Sequence, residues 1–228
     1  MSVPHPANPG AARAPDLLVM IPGAGMKPAD LVAAGFLADV SSRGLALEVR
    51  ILDCDALGTA IQGAAPAPAA AVLRQARREG HRRIWLGGIS LGGLLALAQA
   101  LDEPDSLDGL CLIAPYPGSR PTLAAIERAG GLAAWRPTPD QLDDSEFRVW
   151  NWLRRPPASL PVFVGWGGQD RFAQAIEQLA GCFPPRDRCM VGGGHDWATW
   201  RTLWQRFLDS GHFASQVRTA HPITARGA

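Results

Sequence analysis

Along the 228-residue chain, short apolar runs that end in glycine, proline or aspartate alternate with longer Ala- and Leu-rich stretches of helical period. Strands buried on both faces read as unbroken apolar runs, whereas amphipathic helices repeat every three to four positions. Six strands are predicted on that basis: DLLVMIP over 16–22, ALEVRILD over 46–53, RRIWLGG over 82–88, LDGLCLIAP over 107–115, LPVFVGW over 160–166 and DRCMVG over 187–192. The last is the least apolar. Helices are predicted over 28–42, 66–79, 91–101, 171–182 and 196–209. This alternation predicts an α/β architecture, a mostly parallel six-stranded sheet with helices on both faces and right-handed crossovers.

One connection breaks the rhythm. From Tyr116 to Ser159 there are 44 residues without a strand pattern, carrying the helical pieces TLAAIERAGG and DDSEFRVWNWLRR between prolines. A β-α-β unit needs far fewer, so an insertion is expected at about 116–159. The predicted domain runs from 16 to 211, with flexible tails at 1–15 and 212–228; GAAPAPAAA at 63–71 leads into a helix.

Composition narrows the function classes. With 47% hydrophobic and 19% charged residues, the chain reads as a soluble globular domain of ordinary core size. Its net charge of +1, from 22 basic and 21 acidic residues, supplies no field that would steer it to nucleic acid or an anionic bilayer. The cluster Arg74, Arg77, Arg78, Arg82 and Arg83 reads as a solvated helix end, or as a site for an anionic partner such as a coenzyme A phosphate. Four cysteines, Cys54, Cys111, Cys182 and Cys189, form no CxxC pair and are expected to be reduced. The first residues carry no apolar segment of signal-peptide type, and no apolar run approaches the length of a membrane span. A cytoplasmic location is the expectation.

The strongest chemical signal is Gly88-Ile89-Ser90-Leu91-Gly92-Gly93, between the strand RRIWLGG and the helical run LLALAQAL. A serine there sits on a sharp strand-to-helix turn with its hydroxyl above the sheet, and neighbours at minus two and plus two must lack side chains. The bland alternative is a glycine-rich turn with an incidental serine. A serine hydroxyl needs a base, and the base needs an orienting acid. Of five histidines, His5 lies in the tail, His81 precedes the serine-bearing strand, and His212 and His221 follow the last helix. His195, in Gly192-Gly193-Gly194-His195-Asp196-Trp197, follows the last strand and so shares the carboxyl edge of the sheet with Ser90.

Asp170, in Gly167-Gly168-Gln169-Asp170-Arg171, is the candidate acid, with capping of the next helix as its alternative use. Asp53 ends a strand at the far side of the sheet, Asp196 suits the N-cap of the last helix, and Asp143 and Asp144 in the insertion are held in reserve. The order Ser90, Asp170, His195 is that of one of the three known triad orders. An oxyanion needs two N–H donors: Leu91, after the nucleophile, and one from Pro22-Gly23-Ala24-Gly25-Met26, where Ala24 is preferred over Gly25 or Met26. That loop carries neither GxGxxG nor a GK[ST] ending, which disfavours phosphate binding.

From Leu17 to Leu208 the sequence resembles the compact serine esterases of the α/β-hydrolase superfamily. GISLGG is similar to the nucleophile elbow, GQDRF to the acid turn, GGGHDWATW to the histidine loop and IPGAGM to the oxyanion loop, although that loop usually begins His-Gly and here reads Pro22-Gly23. The resemblance implies the α/β-hydrolase fold with a small helical cap, strand order 2-1-3-4-5-6 counting the six predicted strands, and no initial antiparallel strands. It implies a serine hydrolase that cleaves a carboxylic ester or thioester through an acyl-serine, without metal or organic cofactor. Amide hydrolysis and acyl transfer use the same residues, and a hydrolase-fold binding protein without turnover is the rival from another class. A small-molecule acyl substrate is expected, with Met26, Tyr116 and Trp197 as pocket candidates; Trp135, Trp150, Trp152 and Trp200 either face that substrate or fill a core.

Overall fold

A computed structural model describes residues 3–4, 15–53 and 67–213 of the chain. Cys54, His5, His221 and most of both predicted tails lie outside the described residues. The six expected strands are β2 (Asp16–Ile21), β3 (Leu47–Ile51), β4 (Arg83–Ile89), β5 (Gly109–Ile113), β6 (Val162–Gly167) and β7 (Arg188–Val191). They pair in parallel in the order β3-β2-β4-β5-β6-β7. A two-residue strand, β1 (Val3–Pro4), joins the outer edge antiparallel to β3, with Val3 opposite Ile51. This strand departs from the expected tail at 1–15 and from the expected lack of an initial antiparallel strand, because two residues carry no periodicity in the sequence. Pro4 is tolerated there because an edge strand does not need every ladder donor.

Side chains of the central strands alternate between two cores. Leu17, Val19 and Ile21 of β2 point to one, with helices α3 (Ala67–Arg78), α4 (Leu91–Asp102), α6 (Ser145–Leu153) and α7 (Ala173–Ala180); Leu18 and Met20 point to the other, with α1 (Pro28–Ala33), α2 (Phe36–Ser42) and α8 (Trp197–Leu208). All five are fully buried, each contributing about 1.5–3 kcal/mol of transfer free energy. The single helix predicted over 28–42 is two helices because Gly35 takes φ 89°, a left-handed conformation that ends α1 and redirects the chain. Trp204 of α8 ties that turn down, stacking on Phe36 at 5.1 Å and donating its indole N–H to the Phe36 carbonyl at 3.0 Å.

The insertion contributes α5 (Arg120–Arg128), a 3-10 turn at Asp140–Asp143 and α6, which packs along α4. Trp135 and Trp150 are 3% and 1% exposed and belong to the core rather than to a substrate wall, with Trp152 packed against the same cluster. Asp144 caps α6 by accepting N–H bonds from Glu146 and Phe147, and Asp143 is exposed in its turn, so neither reserve acid reaches the sheet edge. The arginine cluster is largely paired off: Arg74 with Glu103 at 2.9 Å, Arg77 with Asp108 at 2.6 Å and Arg83 with Asp16 at 2.5 Å. Those pairs support the reading of a solvated helix end.

The turn between β4 and α4 shows why glycine is required around Ser90. A Cβ on Gly88 would lie 2.1 Å from the Gly92 carbonyl oxygen, one on Gly92 2.1 Å from the Ile21 carbonyl oxygen, and one on Gly93 2.7 Å from the Pro115 Cβ. Gly92→Ala is therefore expected to destabilise the fold by at least the 1–3 kcal/mol, roughly, of an overpacked core. Gly192→Ala, where a Cβ meets nothing within 4 Å, is expected to stay within about 0.5 kcal/mol of the parent. Thermal melts of the two variants check this contrast.

Candidate active site

Ser90 connects β4 to α4 with φ 53° and ψ −118°, a strained conformation for a residue with a Cβ. Neighbouring backbone holds it there. Its N–H donates to the Ile113 carbonyl at 3.0 Å, and its carbonyl accepts from Gly93 at 2.9 Å and from Tyr116 at 2.8 Å. β4, β5, α4 and the start of the insertion thus all fix the elbow, and they hold the hydroxyl above the carboxyl edge of the sheet.

The Ser90 Oγ lies 2.9 Å from Nε2 of His195, and Nδ1 of the same ring lies 2.6 Å from Oδ2 of Asp170. An ionised carboxylate can only accept, so the proton belongs on Nδ1, which leaves Nε2 free to accept from the serine hydroxyl. Asp170 follows β6 and its side chain is fully buried. Its second oxygen, Oδ1, accepts the Phe172 N–H at 2.8 Å, just before α7. Phe172 is itself the N-cap of α7, so Asp170 does not cap that helix; its two oxygens serve the imidazole and the turn that leads into the helix. His195 stands between β7 and α8, in the loop whose Asp196 caps α8 by accepting from the Thr199 N–H at 2.9 Å. Hydrogen bonds from Thr199 hold the Asp196 carboxyl below the usual range.

The other candidates are placed elsewhere. Asp53 follows β3, five strand spacings or about 24 Å from β7. His81 is buried beside Arg50 before β4, and His212 packs on Trp85 at 4.6 Å, where burial lowers its pKa. Among the described residues the thiols are not nucleophiles waiting in reserve: burial pushes Cys111 and Cys189 up and Cys182 up to about 11.

Opposite the serine, the loop after β2 folds into a turn closed by the Met26 N–H on the Gly23 carbonyl at 3.1 Å. The Met26 sulfur accepts the Gly23 N–H at 3.2 Å, so those two donors are engaged within the loop. Ala24, between them and exposed, has its N–H outside both bonds, and Leu91, as the first residue of α4, has its N–H outside the helical ladder. Ala24, Gly25, Met26, Ala33, Ala34 and Trp197, with Asp30, line an open cleft of about 560 Å³ next to this loop. Tyr116 does not line it; its ring packs on Phe172 instead, at 5.5 Å. A larger depression of about 900 Å³ between the ends of α5, α6 and α7 contains no triad residue.

Two aromatic residues stand against the catalytic ring: Trp200, which the sequence offers as a substrate wall or core residue, and Phe172, which it does not single out. Phe172, in GQDRF, and Trp200, in HDWATW, both pack edge-to-face on the His195 ring, at 5.3 Å and 5.2 Å. The sequence signal was their position, two residues after the acid and five after the base.

No protein-family model matches this sequence, and no curated protein matches it. Solved structures do. A substrate-bound fluorophosphonate-binding serine hydrolase of Staphylococcus aureus superposes with a TM-score of 0.62 at 13% identity, covering 92% of this chain and 96% of that one. An S-formylglutathione hydrolase of the same organism gives 0.61 at 15%, covering 89% and 83%. A monoacylglycerol lipase of Paleococcus ferrophilus gives 0.53 at 15%, covering 85% and 94%. At such identities the likeness speaks for the fold, and the hydrogen bonds within this chain speak for the chemistry: the protein has the α/β-hydrolase fold, with Ser90, His195 and Asp170 assembled as a serine-hydrolase triad.

Proposed function

We propose that this protein hydrolyses a carboxylic ester or thioester of a small molecule through an acyl-serine intermediate. The observation that carries this reading is the continuous line from Ser90 Oγ through His195 to the buried Asp170. Ser90 Oγ attacks the carbonyl carbon while its proton passes to Nε2 of His195, and the Asp170 carboxylate stabilises the imidazolium that results. The carbonyl oxygen becomes an oxyanion, which the N–H groups of Leu91 and Ala24 receive. Collapse of the tetrahedral intermediate breaks the bond to the alcohol or thiol, which leaves with the proton from Nε2. Water, deprotonated by the same nitrogen, then releases the acid and regenerates Ser90.

The cleft walled by Met26, Trp197 and three alanines is the proposed seat of an apolar part of the substrate. The proposed setting is the cytoplasm, a reading supported by the free thiols Cys111, Cys182 and Cys189. Among the described residues no helix is long and apolar enough to cross a membrane.

The experiment is a panel of aryl esters and acyl thioesters of varied acyl length, followed by product analysis with and without acceptor alcohols. Turnover with free acid as the main product is expected. Stoichiometric binding without cleavage anywhere on the panel would favour a binding protein, and diversion of the acyl group to the alcohol would favour an acyltransferase.

A further inference from the structure

His195 is the middle member of a row of five rings: Tyr116, Phe172, His195, Trp200 and Trp197. Successive centroids are 5.5, 5.3, 5.2 and 5.1 Å apart, and successive planes meet at 78°, 86°, 88° and 77°. Near-perpendicular packing sets the positive edge of one ring against the electron-rich face of the next. We propose that Phe172 and Trp200 are positioning residues that fix the plane of the catalytic imidazole. The proposal rests on the serine-hydrolase reading and extends it to residues that touch no reacting atom.

Two hydrogen bonds locate the imidazole along the line from Nδ1 to Nε2, but a ring held only at those two atoms can still rock about that line. Edge-to-face contacts with Phe172 and Trp200 oppose the rocking. The constraint matters because Nε2 must accept a proton from Ser90 and then deliver it to a leaving group a short distance away, and small misplacements are costly in rate. Phe172 acts twice, with its ring on His195 and its N–H on Oδ1 of Asp170. The Arg171 guanidinium lies over the Phe172 ring at 4.8 Å and braces it in turn.

Trp200 argues separately. It is 6% exposed, and its indole N–H has no hydrogen-bond partner among the described residues. A buried orphan donor is costly, and a purely apolar side chain would fill the space without it.

The test uses the full chain with a p-nitrophenyl ester, rates being divided by the active sites titrated with a fluorophosphonate. Phe172→Met and Trp200→Met keep apolar bulk and remove the ring. Each is expected to lower kcat about tenfold with KM within about twofold, the size of effect an edge-to-face pair supports. Phe172→Tyr and Trp200→Phe keep a ring and are expected to recover most of kcat. Phe172 is only partly buried, so its pair decides the question even where a Trp200 variant does not fold. The proposal is overturned if the methionine variants stay within twofold of the parent, or if the ring-bearing variants are as slow as the methionine ones. A parent that neither labels nor cleaves any ester would instead overturn the serine-hydrolase reading, and this proposal with it.

Discussion

Ser90→Ala is expected to lower kcat by about six orders of magnitude and to abolish labelling by a fluorophosphonate probe. The size of the loss follows from the geometry. No other oxygen nucleophile is held within hydrogen-bond reach of His195 by the described contacts, and the oxyanion donors alone supply only about 10³–10⁴ over water. The fold should be indifferent to the change. Ser90 holds its unusual backbone through its N–H and carbonyl, which alanine keeps, and the side chain contributes no capping bond to α4. Melting temperature and labelling, measured on one preparation, separate loss of the nucleophile from loss of structure. Labelling that survives the substitution would place the reactive residue elsewhere.

Asp170→Asn should cost about 10⁴ in kcat while leaving α7 in place. The amide can accept the Phe172 N–H through its oxygen and then presents its NH₂ to Nδ1 of His195. Nδ1 must then be the acceptor, so the proton moves to Nε2, where it points at Ser90 and cannot be exchanged for the serine proton. Asp170→Ala also removes the acceptor for Phe172 and should lose about 1 kcal/mol of stability beyond the asparagine variant, the net worth of one hydrogen bond. Comparing kcat and melting temperature across the pair separates the two oxygens of this carboxylate. Activity within tenfold of the parent in the asparagine variant would show that another acid orients the imidazole.

The sheet was legible because its central strands are buried on both faces, which leaves unbroken apolar runs such as LLVMI and GLCLI. The elbow was legible for a harder reason: no side chain fits at Gly88 or Gly92, so the residue types are dictated by contacts to Gly92 and Ile21 backbone. Ser90, Asp170 and His195 can be paired from the chain alone because parallel strands bring all their carboxyl ends to one edge. What could not be read depends on chain segments meeting from far apart. The break at Gly35 interrupts a periodicity that continues across it, and its backbone is settled by packing on α8. The insertion tryptophans look alike in sequence, and only the packing of α6 against α4 sorts Trp150 into the core. The ring contacts of Phe172 and Trp200 exist only once β6, β7 and α8 have come together.

Ser90 and His195 stand 105 residues apart in sequence, and the histidine is carried just past β7. That strand has four residues, none fully buried, forms the outer edge of the sheet, and includes Met190 at 65% exposure. Open edges with few buried contacts are where local unfolding begins. Bond making at Ser90 is therefore tied to an edge ladder of four residue pairs, and fraying of that ladder is expected to silence the enzyme while both cores are still intact. Ester cleavage thus reports on this edge of the sheet rather than on the bulk of the protein.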